Sequence, residues 1–462
     1  MDLSTLVLVL IAVTVASYYG GVMRSQALAR PLGGIKNLAA LPSYYGFLAV
    51  IWAIVPALIL LLIWTFSEPS VIANMVIAVM PAEAALLGEG ELGLLYTRVG
   101  NVASGMMGMD TVGEVYRPAV ERLIELEAFT ARYKPLLVIT LAVTGALLAL
   151  KMASAKWNVR YPVERTFNIL LFLSSGIAVL STAGIIFSVL FESIRFFNQI
   201  PIFDFLFGTE WSPQIAIRAD QVGASGAFGV IPLLVGTLLI SAIAMLVAVP
   251  TGLMSAIYLA EYASKKTRDV VKPLLEILAG IPTIVYGFFA AITVAPAIRS
   301  AGESIGLQVA SESALAAGLV MGVMIIPFVS SLSDDVITAV PQSMRDGSYG
   351  LGATQSETIR RVIFPAALPG IVGGVLLAIS RAIGETMIVV MAAGSVANLT
   401  INPLEAVTTV TVQIVTLLVG DQEFDNAKTL AAFALGLILF LITLGFNFLA
   451  LHVVKKYREQ YD

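Results

Sequence analysis

Nine long apolar stretches constrain the fold of this 462-residue chain more than any other feature. A helix needs about 20 mostly apolar residues to cross about 30 Å of hydrocarbon, because each residue adds about 1.5 Å. The stretches that meet or approach this length are 3–20, 46–66, 135–150, 167–195, 231–257, 278–298, 314–333, 367–394 and 430–450. The sequence therefore predicts an all-α, polytopic membrane protein, in which the short stretch 135–150 is the weakest span.

Composition excludes several classes of protein. Hydrophobic residues make up 58% of the chain and charged residues 13%, against about 25% charged in ordinary soluble domains, which argues against a soluble enzyme. The net charge of −4 suggests no nucleic-acid partner. With no Cys and only His452, the chain offers no thiolate nucleophile and no ordinary zinc site, so neither catalytic nor metal-binding residues are predicted.

Basic residues are distributed unevenly between the loops that alternate along the nine predicted spans. The loops on one side carry 17 Lys and Arg residues and the longer loops on the other side carry 8. Cytoplasmic loops are the ones enriched in Lys and Arg. We therefore expect a multi-pass membrane protein with its C-terminus in the cytoplasm and its N-terminus outside.

The predicted spans divide the chain into two parts. Residues 1–150 hold three spans and an external loop at 67–134, which we interpret as a small cap or a partly disordered loop. A helix is expected to begin near Pro118, with one apolar side formed by Val120, Leu123 and Ile124. Residues 165–462 hold the other six spans.

The largest internal loop of the second part, at 334–366, has the features of a docking element. Gly350 and Gly352 interrupt a helix, and Thr354 followed by Glu357 is a capping-box pattern that begins another. We expect two short helices that cross at a glycine turn and carry force from a soluble partner to a membrane helix. Asp334 and Asp335, at the start of the loop, are expected at a solvated helix end.

Two charged residues, Arg381 and Glu385, lie within the stretch 367–394. An ionised group costs roughly 2.5–3.5 kcal/mol at the bilayer centre, so such residues usually face a functional pathway. Their i, i+4 spacing predicts an ion pair, for which an incoming oxyanion could compete by binding the guanidinium. The alternative is an ion pair that only stabilises packing. Close helix approach is expected at Gly370, Gly373, Gly374 and Gly384.

Another segment, residues 273–289, combines Gly280 and Pro282 near the predicted cytoplasmic end of a span. These residues should interrupt the helix there. Backbone groups freed in this way are tolerated only beside a cavity or another helix.

These motifs resemble those of a known family. ABC importer permeases carry a docking loop of the form E-A-A-x-x-x-G, nine residues and I-x-L-P, and here Asp346 and Gly352 hold the first and last positions of its first half. The segments L-A-G-I-P-T-I-V-Y-G-F (278–288) and R-A-I-G-E-T-M (381–387) are similar to those of phosphate-specific transport permeases of the PstC-like type. The segment F-L-F-G-T-E-W (205–211) resembles the same type.

The resemblance implies a six-helix, type I, MetI-like permease core at 165–462, preceded by about three extra spans. It also implies the bacterial cytoplasmic (inner) membrane as the location. It implies a second homologous permease (PstA-like), an extracytoplasmic phosphate-binding protein and an ATPase dimer. No Gly-Lys pair occurs in the chain, so it has no Walker A loop, and ATP and Mg²⁺ would be used by the partner. The implied pathway residues are Arg381, Glu385 and Thr386. The implied docking residues are Asp346, Gly352, Glu357 and Arg360.

Other functions remain open at this level. The cargo of an ABC permease could be another oxyanion, such as sulfate or molybdate. An autonomous ion-coupled carrier is disfavoured because we see no inverted repeat in the sequence. An intramembrane enzyme is disfavoured further, because no nucleophile and base are paired.

Overall fold

A computed structural model describes residues 3–81, 83–84, 87–215, 225–419 and 426–458. Within these residues, nine helices are long and apolar enough to cross a membrane, and each overlaps one of the predicted stretches. The all-α, polytopic prediction is confirmed. The chain divides into two compact units, residues 1–180 and 181–462, which are described separately below.

The first unit is built from long helices joined by short turns. Its helices are α1 (Leu3–Ala29), α2 (Pro42–Ile77), α3 (Glu89–Ala103) and α4 (Arg117–Met152). Short 3₁₀ turns lie at Arg30–Leu32, Ile35–Asn37, Met109–Thr111 and Glu114–Tyr116. Small residues let α2 and α4 approach closely: Ala53 and Ala142 are fully buried, and a Cβ at Gly145 would lie 1.9 Å from the carbonyl oxygen of Trp52.

The described part of segment 67–134 is largely helical. Helix α2 continues to Ile77 and α4 already begins at Arg117, so the flanking spans extend into the segment. The apolar side chains pack into their own cluster with α3, and members of this cluster include Ile72, Val76, Val99, Val120 and Leu123. Hydrophobic burial therefore favours a folded cap over a disordered loop. Ile124, which was assigned to the same apolar side of the helix as Val120 and Leu123, is 48% exposed and lies at the edge of that side.

The boundary between the two units falls within α5 (Arg160–Phe197). Its long apolar window has no buried residue. Near its end, Phe196 is fully buried in an aromatic cluster with Phe205, Trp211 and Phe228. The motif 205–211, singled out in the sequence, thus contributes core residues of the second unit.

The second unit begins with α6 (Ile202–Phe207) and an antiparallel hairpin, β1 (Trp211–Ile215) and β2 (Ser225–Phe228), in which Trp211 pairs with Phe228. The next helices are α7 (Ile231–Ile257), α8 (Lys265–Gly280), α9 (Thr283–Phe289), α10 (Ala295–Ser304) and α11 (Ala314–Ala339). The last are α12 (Gln342–Gly350), α13 (Gln355–Thr358), α14 (Phe364–Ile383), α15 (Met387–Ala392), α16 (Val410–Leu418) and α17 (Ala427–Arg458). Single π-helical turns lie at Tyr258–Tyr262, Ala290–Val294 and Ile359–Ile363.

Helices α7, α11 and α14 form the centre of this unit. Their buried residues are mainly Ala, Val, Ile and Met, including Ile240, Ala244, Met321, Ile325 and Ala378. Close approach at the glycines of α14 is confirmed at three of the four predicted positions. A Cβ would lie 2.5 Å from Val336 at Gly370, 2.4 Å from Val454 at Gly373 and 3.3 Å from Leu332 at Gly374. Gly384 is different, because its nearest atoms lie 3.7 Å away.

The stretch 395–419, which lies between the last two predicted spans, packs into the core. The buried residues of α16 include Val410, Val412 and Gln413. The side-chain oxygen of Gln413 accepts a hydrogen bond from the Trp211 indole N–H at 3.0 Å. The sequence did not reveal α16, because a helix of only nine residues is too short to be recognised as a span.

Candidate functional site

The stretch 367–394 is not one continuous helix. Helix α14 ends at Ile383 and α15 begins at Met387. The Glu385 carboxylate accepts hydrogen bonds from the backbone N–H groups of Thr386 and Met387, at 3.1 and 3.0 Å, and so satisfies the start of α15. The Thr411 hydroxyl donates to the Glu385 carbonyl at 2.8 Å.

The predicted ion pair between Arg381 and Glu385 is wrong. Among the described residues neither side chain makes a salt bridge, since the Glu385 carboxylate binds backbone groups instead. The i, i+4 rule assumes an unbroken helix, and the break after Ile383 turns Glu385 out of the register of Arg381. Thr386 lies beside Glu385, with its hydroxyl 3.4 Å from the Gly384 carbonyl oxygen.

Arg381 extends from α14 towards α11. Its Nη2 lies 4.0 Å from the Met324 sulfur, and its Cζ lies 5.7 Å from the centre of the Phe328 ring. A guanidinium held over an aromatic face is stabilised by a cation–π interaction that leaves its N–H donors available. The residue itself is exposed. A cation in this arrangement is positioned to bind a ligand with several acceptor oxygens.

Arg381 lines a cavity of about 340 Å³ between α8, α11 and α14. A cavity of this volume has room for a small oxyanion with part of its hydration. The polar lining residues are Lys272, Glu276, Ser330, Ser331, Asp334 and Arg381. The cavity therefore combines cations, hydroxyl donors and two carboxylates.

Asp334 differs from the sequence expectation of a solvated helix end. Its side chain is only 3% exposed, while that of Asp335 is 65% exposed. The Asp334 carboxylate accepts hydrogen bonds from Arg268 at 2.9 and 3.0 Å and from Lys272 at 2.8 Å. The sequence gives little indication of this contact, because Arg268 and Lys272 precede Asp334 by more than 60 residues. Its one local sign is that Arg268 and Lys272 are four positions apart and so lie on one face of α8.

Helix α8 ends as predicted. Its last residue is Gly280, and Pro282 is the N-cap of α9. The Tyr286 hydroxyl donates to the Leu278 carbonyl across this break, at 2.8 Å, and so binds one of the backbone groups near the end of α8. The interruption lies next to Ala279, a lining residue of the cavity, where irregular backbone is tolerated.

The predicted docking loop forms a helical segment, residues 342–363, which we call the docking segment. The capping box is confirmed: the Thr354 hydroxyl accepts from the Glu357 N–H at 3.4 Å, and the Glu357 carboxylate accepts from the Thr354 N–H at 3.0 Å. Gly352 has φ +84°, a left-handed conformation that favours glycine. The expectation of two short helices is half wrong, because α13 continues through a π turn into α14.

The four predicted docking residues all lie exposed on this segment. Asp346 accepts a hydrogen bond from the Gln342 amide at 3.0 Å, and Glu357 belongs to the capping box. Gly352 makes the turn and Arg360 follows in the π turn. Internal contacts hold the two sides of the turn together, since the Ser348 and Thr358 hydroxyls lie 2.8 Å apart. Among the described residues, no cluster of His, Cys, Asp and Glu could hold a metal ion.

Two family models match the chain. Residues 7–181 match a family described as "Phosphate ATP-binding cassette transporter", and residues 248–459 match "Binding-protein-dependent transport system inner membrane component". A solved bacterial ABC transporter involved in the import of alginate overlaps 65% of this chain and 99% of its own, at a TM-score of 0.43 and 14% identity. That likeness is too distant to carry an argument.

Curated relatives are more similar. A probable ABC transporter permease protein, YqgH of Bacillus subtilis, is 32% identical over 56% of this chain and 80% of its own length. The phosphate transport system permease protein PstC 1 of Mycobacterium tuberculosis is 35% identical over 54% and 81%. PstC of Haemophilus influenzae is 34% identical over 58% and 84%. The chain therefore belongs to the PstC-like permeases of the binding-protein-dependent ABC transporters.

Proposed function

We propose that this chain is the transmembrane permease subunit of an ATP-driven importer of inorganic phosphate, and that it forms half of the translocation pathway. The names of its PstC relatives support this cargo. The observation that carries the proposal is the position of Arg381, whose guanidinium lines a cavity beside a break in a membrane helix. We propose that Arg381, together with Glu385 and Thr386, lies along the path of the anion.

The chemistry of Arg381 suits an oxyanion. A charged side chain within a membrane span is costly, and the described residues provide Arg381 with no carboxylate partner. A phosphate group can accept two N–H donors of one guanidinium at once. The Met324 and Phe328 contacts hold the guanidinium without using donors on a strong acceptor. The guanidinium of Arg381 thus keeps N–H donors that can bind a mobile ligand.

The docking segment supports assembly with an ATPase. The four docking residues are exposed along this segment, and they are Asp346, Gly352, Glu357 and Arg360. The second half of the segment, which consists of α13 and the π turn, leads directly into α14. Because Arg381 is on the same helix, movement of the docking segment would reach the anion site without an intervening loop. We propose an ATPase dimer as the partner here, with ATP and Mg²⁺ bound by that partner.

The remaining partners follow from the same proposal. A second, PstA-like permease would complete the pathway, and an extracytoplasmic binding protein would deliver phosphate. The excess of basic residues in alternate loops supports a docking segment in the cytoplasm and a cytoplasmic C-terminus. Residues 1–150 would be an extension to a permease core at 165–462, and one family model described as a phosphate transporter covers most of that extension.

The test is uptake of labelled phosphate by the complete transporter in proteoliposomes. Arg381→Gln should lower uptake at least tenfold, since one charge-assisted hydrogen bond contributes about 1.5–3 kcal/mol, while copurification with the ATPase is kept. Arg299→Gln is the matched control, because Arg299 is exposed and pairs with Glu303 at 2.8 Å away from the cavity. Normal uptake by Arg381→Gln would overturn the role of Arg381.

Competition distinguishes the cargo. Unlabelled phosphate should abolish uptake of the label, while sulfate and molybdate at equal concentration should leave most of it. Stronger inhibition by sulfate or molybdate than by phosphate would indicate a permease for another oxyanion. Flux through the chain alone, without ATPase, would indicate an autonomous carrier.

A further inference from the structure

The cavity holds a second cationic group besides Arg381. Lys272 lines it from α8, and its Nζ lies 2.8 Å from a carboxylate oxygen of Asp334 and 3.5 Å from Asp335. Arg268 binds the same Asp334 carboxylate through both oxygens. Two cations thus share one nearly buried carboxylate, in the same kind of donor set that binds an oxyanion.

Arg381 of α14 and Lys272 of α8 contact α11 at different positions along its length. Arg381 contacts Met324, whereas Lys272 contacts Asp334, ten residues further along the helix. Ten helical residues span about 15 Å. The hydroxyl residues Ser330 and Ser331 line the cavity between these two positions. An anion that moves from Arg381 towards the docking segment therefore passes hydroxyl donors and then meets Lys272.

Asp334 is bound by two cations, so Lys272 can move away without leaving the carboxylate unpaired. Removing the partner of a buried charge normally costs several kcal/mol. If Lys272 turns to a ligand, however, Arg268 still holds both oxygens of Asp334. Lys272 is also the more mobile group, because its side chain is 32% exposed. The hydrogen bond to Asp334 raises the pKa of Lys272, so the ammonium remains charged at cellular pH.

We propose that Lys272 is a second anion-binding residue of the pathway, and that Asp334 is the internal carboxylate that takes the ammonium back when the anion leaves. The ligand class is a small tetrahedral oxyanion, which is inorganic phosphate if the proposed function holds. The carboxylates of Asp334 and Glu276, both on the cavity wall, keep binding weak. A transport site needs weak binding, because the ion must also leave.

The experiment measures binding of labelled inorganic phosphate to the nucleotide-free, complete transporter by equilibrium dialysis. Lys272→Gln should weaken binding about tenfold, since it removes a charge-assisted hydrogen bond. Asp334→Asn should tighten binding about tenfold and slow uptake in proteoliposomes, because it removes the competing carboxylate. Asp335→Asn is the matched control, and its binding should stay within about twofold of the wild type because Asp335 is exposed and more distant.

Two results would overturn the proposal. Unchanged binding in Lys272→Gln would show that Lys272 does not bind the anion, and weaker binding in Asp334→Asn would show that the cluster is a structural ion pair. If Asp334→Asn does not assemble, Lys272→Arg decides the question, because it should keep the binding that Lys272→Gln loses, and loss in both would overturn the proposal. These outcomes are separate from the proposed function, which is tested on the wild-type transporter by phosphate uptake, by competition with other oxyanions and by the need for the ATPase.

Discussion

The Glu261 carboxylate lies 3.0 Å from the Arg345 guanidinium, and their side chains are only 8% and 11% exposed. Glu261 belongs to the π turn after α7, whereas Arg345 belongs to α12 of the docking segment. Arg345 also donates to the carbonyls of Ile337, at 2.8 Å, and Val340. The Gln355 amide donates to the Glu261 backbone carbonyl at 2.6 Å. Helices α12 and α13 of the docking segment therefore both contact the π turn that follows α7.

Arg345→Ala should destabilise the permease by about 3–5 kcal/mol, because it leaves Glu261 as an unpaired, nearly buried charge. Glu261→Gln should cost less, since Arg345 keeps its two carbonyl acceptors. Thermal unfolding of the purified transporter measures both effects. The control is Arg299→Ala, which breaks an exposed pair and should cost at most about 1 kcal/mol. Equal losses in Arg345→Ala and Arg299→Ala would contradict this account of the pair.

Thr354→Ala should loosen the start of α13, because it removes the hydroxyl that accepts the Glu357 N–H. N-cap substitutions of this kind cost about 1 kcal/mol. Hydrogen exchange of the amides at 355–358 should become faster in Thr354→Ala and stay near the wild-type rate in Thr354→Ser. Ser356→Ala, one position inside the helix, is the control. Faster exchange in Ser356→Ala than in Thr354→Ala would be the opposite of what the capping box requires.

Gly145→Ala should destabilise the first unit, because the new Cβ would lie 1.9 Å from the carbonyl oxygen of Trp52 on α2. Overpacking of this kind costs about 1–3 kcal/mol. Gly93→Ala is the matched change in α3, where the Cβ meets open space, and it should stabilise by about 0.5–1 kcal/mol. Thermal unfolding of the two variants should therefore shift in opposite directions. A shared sign would argue against the close contact between α2 and α4.

Gln413→Leu should destabilise the second unit by about 1–3 kcal/mol, because it leaves the buried Trp211 N–H without its acceptor. It also removes the hydrogen bond from the Gln413 amide to the Ser395 carbonyl at 3.1 Å. Thermal unfolding of the purified transporter measures the loss, and faster hydrogen exchange of the amides at 410–418 assigns it to α16. The exposed residue Gln342 provides a control as Gln342→Leu, and a larger loss there than in Gln413→Leu would contradict the importance of the hydrogen bond between Gln413 and Trp211.

The predictions that succeeded depend on local patterns. The nine spans were recognisable because crossing a bilayer sets a minimum length of apolar residues. The capping box at Thr354 and Glu357 involves residues three positions apart, so the sequence alone contains the whole interaction. The break at Gly280 and Pro282 was likewise predictable, since proline at 282 provides no N–H for the helix.

The predictions that failed depend on distant residues or on helix continuity. The pairing of Arg381 with Glu385 assumed an unbroken helix, and the chain leaves that helix after Ile383. The burial of Asp334 needs two cations from α8, which lie more than 60 residues earlier. The short helix α16 is held in the core by contacts such as the one to Trp211.

Apolar length, charge asymmetry and motif spacing thus determined the class of this protein, its number of spans and the position of the docking segment, because each is a property of neighbouring residues. Tertiary structure alone decided which partner each charged side chain contacts: Phe328 for Arg381, Asp334 for Lys272, and Arg345 for Glu261. The physical reason is that a charge in a low-dielectric environment must find its partner in space, and helix packing brings together residues that the linear order separates.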